Sequence, residues 1–168
     1  MGIKLVKLSN SMEIKLRDFL LESQDLPEVF KLIDNDFNKT VQEYENYSNG
    51  INLPKGFVPY TIFYAVDTNT NNIVGQMSVK HELNDYLKFR VGHIGCYVCP
   101  SQRKKGIGTK MLEQVIGFCK DINLDRILIT CDESNIGSNK IILNNGGVLE
   151  SKEIDSNGVE FNRYWLNI

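Results

Sequence analysis

A chain of 168 residues with a formal net charge of −2 is long enough to bury one core and lacks the basic excess of a general nucleic-acid binder. Its apolar share of 42% and charged share of 24% are ordinary for a soluble globular protein. No stretch approaches the apolar length needed to span a membrane, and the start Met1-Gly2-Ile3-Lys4-Leu5 lacks the apolar run of a signal peptide, so the expected location is cytoplasmic.

Leu5 to Leu8 reads as a short strand. Asn10-Ser11-Met12-Glu13 has the form of a capping box, with Asn10 as cap and Glu13 reaching back. A helix to about Glu22 follows, with Ile14, Phe19 and Leu21 among its apolar residues. Pro27 suits a second helix start, and Leu26, Phe30, Ile33, Phe37, Val41 and Tyr44 recur at helical spacing after it. Ser48 to Pro59 is a loop punctuated by Gly50, Pro54, Gly56 and Pro59. Tyr60 to Val66 and Ile73 to Val79 read as strands around a polar turn. His81 to Lys88 is polar and fits neither period. Gly92 to Val98 is a further strand, ended by Pro100.

From Gly106 the period becomes helical, with Ile107, Met111, Leu112, Val115, Ile116 and Cys119 on one face. Arg126 to Cys131 is a dense apolar strand of the doubly buried kind. Asn135 to Asn144 reads as a short helix stopped by Gly146-Gly147. Val148 to Ile154 and Val159 to Leu166 are strands joined by Ser156-Asn157-Gly158, where Asn-Gly favours a tight hairpin. The expected architecture is a mixed α+β single domain spanning residues 1–168, built on one central sheet.

The four cysteines, Cys96, Cys99, Cys119 and Cys131, sit in apolar segments and read as reduced, buried thiols. His93, Cys96 and Cys99 form an H-x-x-C-x-x-C run. It lies across a strand whose side chains alternate faces, which disfavours convergence on one ion, so no metal is expected.

The chemistry concentrates in Val98-Cys99-Pro100-Ser101-Gln102-Arg103-Lys104-Lys105-Gly106-Ile107-Gly108-Thr109. A strand enters a basic, glycine-containing loop that opens a long amphipathic helix. Amides at a helix N-terminus lack internal partners, and the helix dipole favours negative charge there. Gly106 and Gly108 would keep side chains from holding a phosphate away from those amides, while Arg103, Lys104 and Lys105 supply countercharge. The spacing is neither a Walker A loop nor a dinucleotide fingerprint. It matches R-x-x-G-x-G as Arg103-x-x-Gly106-x-Gly108.

That motif, behind a strand ending Val98-Cys99-Pro100, resembles the acetyl-CoA signature of the GNAT superfamily of N-acyltransferases. The strand Arg126 to Cys131, the helix opened by Asn135-Ile136-Gly137-Ser138 and the closing Gly146-Gly147 extend the resemblance. His93 to Val98, Ile129 to Asp132 and Asn145 to Glu150 look like a bacterial subgroup of predicted acetyltransferases. The resemblance implies a central mixed, mostly antiparallel sheet with a splayed strand pair and flanking helices. It also implies acetyl-CoA as acyl donor, with the pantetheine arm in the splay. Tyr97 and Val98 would contact that arm by main chain, and Asn135 and Ser138 would lie beside it. Gln102, Arg103, Lys104, Lys105, Gly106, Ile107, Gly108 and Thr109 would cradle the pyrophosphate.

The implied reaction is direct attack by a primary amine of a small molecule or peptide on the thioester. Glu82, His81 and His93 are candidate bases, with Glu82 and His93 carried forward. Ile142 occupies the position where the superfamily often places a Tyr acid. That departure supports an alternative reading, a non-catalytic acyl-CoA-binding or sensing domain. A nucleotide-binding module that uses the basic loop for phosphate is a third reading. The acceptor pocket is expected between the two N-terminal helices, the Ser48 to Pro59 loop and the Glu82 to Phe89 segment. The expected partners are acetyl-CoA and an unidentified amine, with no nucleic acid and no membrane; sheet edges in such folds often support a homodimer.

Overall fold

The computed structural model describes residues 2–27 and 33–168. The strand β1 (Ile3–Lys7) leads through a short 3-10 turn into helix α1 (Glu13–Glu22). Helix α2 (Phe37–Ser48) precedes the hairpin of β2 (Tyr60–Asp67) and β3 (Ile73–Lys80). A single π-helical turn, Leu87–Val91, feeds β4 (Ile94–Val98). Then come helix α3 (Ile107–Asp121), β5 (Arg126–Asp132), helix α4 (Ile136–Asn144), β6 (Val148–Ile154) and β7 (Glu160–Asn167). The element order is the one expected from sequence.

The single central sheet resolves into two. One has the strand order β1-β2-β3-β4 and the other β5-β7-β6, and every ladder in both is antiparallel. The two sheets meet at β4 and β5, where an isolated bridge joins Gly92 to Ile129. Beyond it the strands diverge and leave a gap. Gly92 has φ +74° there, and a Cβ on it would stand 2.4 Å from the Leu128 carbonyl oxygen, so the close approach at the bridge requires glycine.

The first sheet is buried on both faces, which explains the unbroken apolar runs in β2 and β3. Phe63, Met77, Val79 and Ile94 pack against Met111, Leu112 and Val115 of α3. The other face carries Ile62 and Tyr64 against Leu16 and Phe19 of α1 and Phe37 of α2. Gln114 of α3 closes the open edge of β1: its amide donates to Ile3 O at 2.7 Å and accepts from Leu5 N–H at 3.1 Å. An edge strand covered in this way offers little to a foreign strand.

Several local expectations change. The capping box does not form. Asn10 and its neighbours make a 3-10 turn without a side-chain cap, and Glu13 instead accepts from Arg17 one turn on, at 2.8 Å. Ile14 and Leu21 face solvent, while Leu16 and Phe19 carry the buried stripe. Phe30 lies outside the described residues. The helix start expected at Pro27 runs into residues outside the described ones; the described helix that carries Phe37, Val41 and Tyr44 starts at Phe37, where the Asp36 carboxylate accepts the Asn38 N–H and caps it. The last hairpin turns on three residues, closed by the Asp155–Val159 pair, with only Gly158 at positive φ. The Asp155 carboxylate takes the Asn157 and Val159 amides, which favours this longer turn over a two-residue Asn-Gly one.

Candidate functional site

The basic loop adopts the geometry of an anion cradle. Lys104 and Gly106 both have positive φ, 63° and 75°, which turns successive amides toward one side as in a nest. Gly106 is the N-cap of α3 and offers no side chain to its first turn. The amides of Ile107, Gly108 and Thr109 are therefore left to an outside acceptor. A Cβ on Gly106 would meet nothing within 4 Å, so its requirement for glycine is conformational. Lys104 and Lys105 are exposed, and Lys105 donates to Gln102 Oε1 at 3.0 Å.

Gly108 serves a different purpose from the one its place in the motif suggested. It is buried, and a Cβ there would stand 2.5 Å from Ile141 Cδ1 and 3.7 Å from Cys96 Sγ. Its missing side chain lets α3 approach α4. Ile107 points into the core beside it.

Arg103 is also differently employed. Its guanidinium donates to Asp25 Oδ2 at 2.6 Å and to the Val98 carbonyl at 2.9 Å, and stacks over the Tyr97 ring at 5.4 Å. The Tyr97 hydroxyl donates to the other Asp25 oxygen. These two donors hold the Asp25 carboxyl below its ordinary range. Ser101 N–H donates to Glu22 Oε1 at 3.0 Å, and Ser23 Oγ lies 3.8 Å from Cys99 Sγ. The exit of α1 is thus fastened to the basic loop. Asp25 and Arg103 are 78 positions apart, and no local pattern could have linked them.

Between β4 and β5 lies a cavity of about 340 Å³. Its β4 wall is Ile94, Gly95 and Cys96, one register earlier than the Tyr97 and Val98 expected from sequence; the Tyr97 side chain turns instead toward Phe19 of α1. Asn135 and Ser138 line the gap. They form the cap of α4, with Ser138 N–H donating to Asn135 Oδ1 at 3.0 Å. Ile142 forms part of the wall and is almost fully buried, so no hydroxyl acid stands there. Cys96 opens into this space, unlike its three buried counterparts.

The π-helical turn that borders the gap is bolted to the second sheet. Arg90 donates to Asp132 at 2.6 Å and to Asp155 at 2.9 Å, and Arg163 donates to the Lys88 and Phe89 carbonyls.

His93 is a structural link. Leu128 N–H donates to its Nδ1 at 2.9 Å, and His93 N–H donates to Leu128 O at 2.7 Å. Burial and the nearby Lys80 charge pull its pKa down to about 4, which makes it a weak base. His81 is held by Thr61 Oγ1 at 2.9 Å. Glu82 is exposed and lines neither the gap nor the pocket described next. His93, Cys96 and Cys99 point to different partners. Among the described residues, no group of three or more His, Cys, Asp or Glu could hold a metal ion, and no helix is long and apolar enough to cross a membrane.

A second pocket of about 230 Å³ adjoins the gap. It uses the loop around Phe57 and the segment at Asn84 to Leu87, both expected around an acceptor, while among the described residues none of α1 or α2 lines it. Tyr86 lines both cavities. So, in effect, does Gly95: a Cβ on it would lie 2.6 Å from Ser78 Oγ and 3.8 Å from Lys80 Nζ, both pocket residues. The absent side chain makes room for the Ser78 hydroxyl at the border of the two spaces. Gln76, Ser78 and Lys80 alternate along β3 and so share one face. That pattern is visible in the sequence, but a strand ended at Val79 leaves Lys80 out.

A model of the Acetyltransferase (GNAT) family matches residues 26–142. Comparison with curated proteins yields no match. Among solved structures, a ribosomal L7/L12 α-N-protein acetyltransferase in complex with coenzyme A superposes with a TM-score of 0.72 at 17% identity, over 100% of this chain and 95% of that one. The ribosomal-protein-S5-alanine acetyltransferase of Vibrio fischeri gives 0.70 at 17% identity, over 99% and 93%. A spermidine N-acetyltransferase chimera from Vibrio cholerae and hSSAT gives 0.65 at 14% identity, over 99% and 96%.

Proposed function

The chain belongs to the GNAT acetyltransferase family, and on that premise we propose that it transfers an acetyl group from acetyl-CoA to a primary amine of a small molecule or peptide, as one cytoplasmic domain of residues 1–168. The observation that carries this reading is the uncapped, positive-φ entry to α3 beside a gap between two strands. It suits a ligand with a pyrophosphate at one end and a thin linear arm at the other. The amides of Ile107, Gly108 and Thr109, with Gln102, Lys104 and Lys105, would hold the pyrophosphate, Arg103 joining them when it leaves Asp25. Ile94, Gly95, Cys96, Asn135 and Ser138 would border the arm, and Tyr97 and Val98 would support it from the adjoining main chain. When bound, acetyl-CoA supplies an activated thioester carbonyl. The chain's part is to orient it, exclude water and admit the amine from the adjoining pocket that shares Tyr86 with the gap.

Ile142 favours a second reading, a domain that binds acyl-CoA without turnover, because it gives a departing thiolate no proton donor. Thiolate is a tolerable leaving group near neutral pH, so transfer remains the stronger reading. The test is thermal stabilisation by CoA together with thiol release from acetyl-CoA across an amine panel. Stabilisation with amine-dependent release supports the transferase. Stabilisation without release supports the binding domain. Stabilisation by nucleotides but not by CoA overturns both.

A further inference from the structure

The pocket beside the gap has a composition that selects its occupant. Phe57, Val58, Tyr60, Tyr86 and Leu87 give it apolar walls, and among the described residues no Asp or Glu lines it and its one charged group is Lys80. Among the described residues the Lys80 ammonium makes no ion pair, and its one hydrogen bond is a long one, 3.5 Å, to Ser78 Oγ. An ammonium withdrawn from water without a counter-ion is costly. Burial lowers the Lys80 pKa to about 8, yet that leaves it mostly protonated at neutral pH, a positive charge with nothing opposite it. Its amine also stands close to the gap, 3.8 Å from where a side chain on Gly95 of the gap wall would begin.

We propose that this pocket receives an acceptor bearing an apolar or aromatic body and a carboxylate beside its amine, and that Lys80 binds the carboxylate. The inference rests on the N-acetyltransferase reading and narrows it. The occupant supplies the missing counter-ion and covers the apolar walls, and its amine is carried to the border of the gap beside Gly95 and Tyr86. A polyamine would bring further positive charge against Lys80 and find no acid to balance it.

The test compares L-phenylalanine, 2-phenylethylamine and spermidine as acceptors with acetyl-CoA, following thiol release. The first two differ only in the carboxylate. Phenylalanine should show kcat/KM at least about tenfold above 2-phenylethylamine, the scale of one charged hydrogen-bonded contact. Lys80→Met should raise KM for phenylalanine about tenfold or more and abolish the difference, with CoA stabilisation retained as the check that the chain is folded. Lys80→Arg should keep part of the preference. Equal use of the two phenyl compounds, preference for spermidine, or an undiminished preference in Lys80→Met overturns the proposal. So does turnover of neither phenyl compound while CoA still stabilises the protein; that outcome leaves the CoA cradle standing. Failure of CoA to stabilise the wild-type chain removes the transferase reading itself.

Discussion

Acid should loosen the junction between the two sheets through His93. In the folded chain its Nδ1 accepts the Leu128 N–H at 2.9 Å, and its pKa is pulled from the ordinary 6.5 to about 4 by burial and by Lys80. The unfolded chain therefore binds more protons across that window, so this contribution to stability is complete above about pH 6.5 and falls as pH drops toward 4. The full drop in pKa corresponds to about 3 kcal/mol, of which about 2.5 kcal/mol is lost by about pH 4.5. His93→Gln keeps an acceptor for the Leu128 amide and does not titrate. Urea titrations of both proteins at about pH 7.5 and about pH 4.5 separate this group from every carboxylate they share. The wild type should lose about 2 kcal/mol more than the variant between the two conditions. Equal losses would falsify the assignment of His93 as a buried neutral link.

Gly108→Val should cost about 2 kcal/mol of stability by overpacking against Ile141, and adding Ile141→Ala should recover much of it; an unaffected denaturation midpoint in the single variant would remove Gly108 from the α3–α4 contact. Gly106→Ala should cost about 1 kcal/mol from left-handed strain alone, since the space around it is open, and Gly106→Asn should cost less because Asn tolerates that region. Alanine no worse than asparagine would contradict the conformational reading. Asp25→Asn releases Arg103 from an exposed ion pair worth at most about 1 kcal/mol. CoA affinity by calorimetry should then rise about two- to fivefold, and weaker binding would show that Asp25 aligns Arg103 for the phosphate rather than competing for it.

What could be read in advance follows from the range of the signals. The face of α3 announces itself through periodicity over many residues, and the buried strand Arg126–Asp132 through its dense apolar run. The cap of α4 by Asn135 is legible because a helix cap is decided within four residues. At Gly108 phosphate access and helix packing both ask for a missing side chain, and only the position of Ile141 reveals the packing role. The same limit applies to Ile14 and Leu21, apolar residues whose exposure depends on how α1 lies on the sheet. Arg103 illustrates the opposite case. Its place in the motif is local, but its tie to Asp25 depends on where the exit of α1 comes to rest. The divergence of β4 from β5 has no periodic signature either, although it begins beside the positive φ of Gly92.

The gap has a further consequence for how the protein avoids misassociation. β4 pairs with β3 along one edge, and beyond the Gly92 bridge its other edge faces the crevice. An unpaired strand edge ordinarily invites another chain to add itself. Here that edge borders a crevice lined also by Arg90, Ile141 and Ile142, side chains that a second strand would have to displace before it could pair. The chain can thus keep an open hydrogen-bonding edge without exposing it to strand addition.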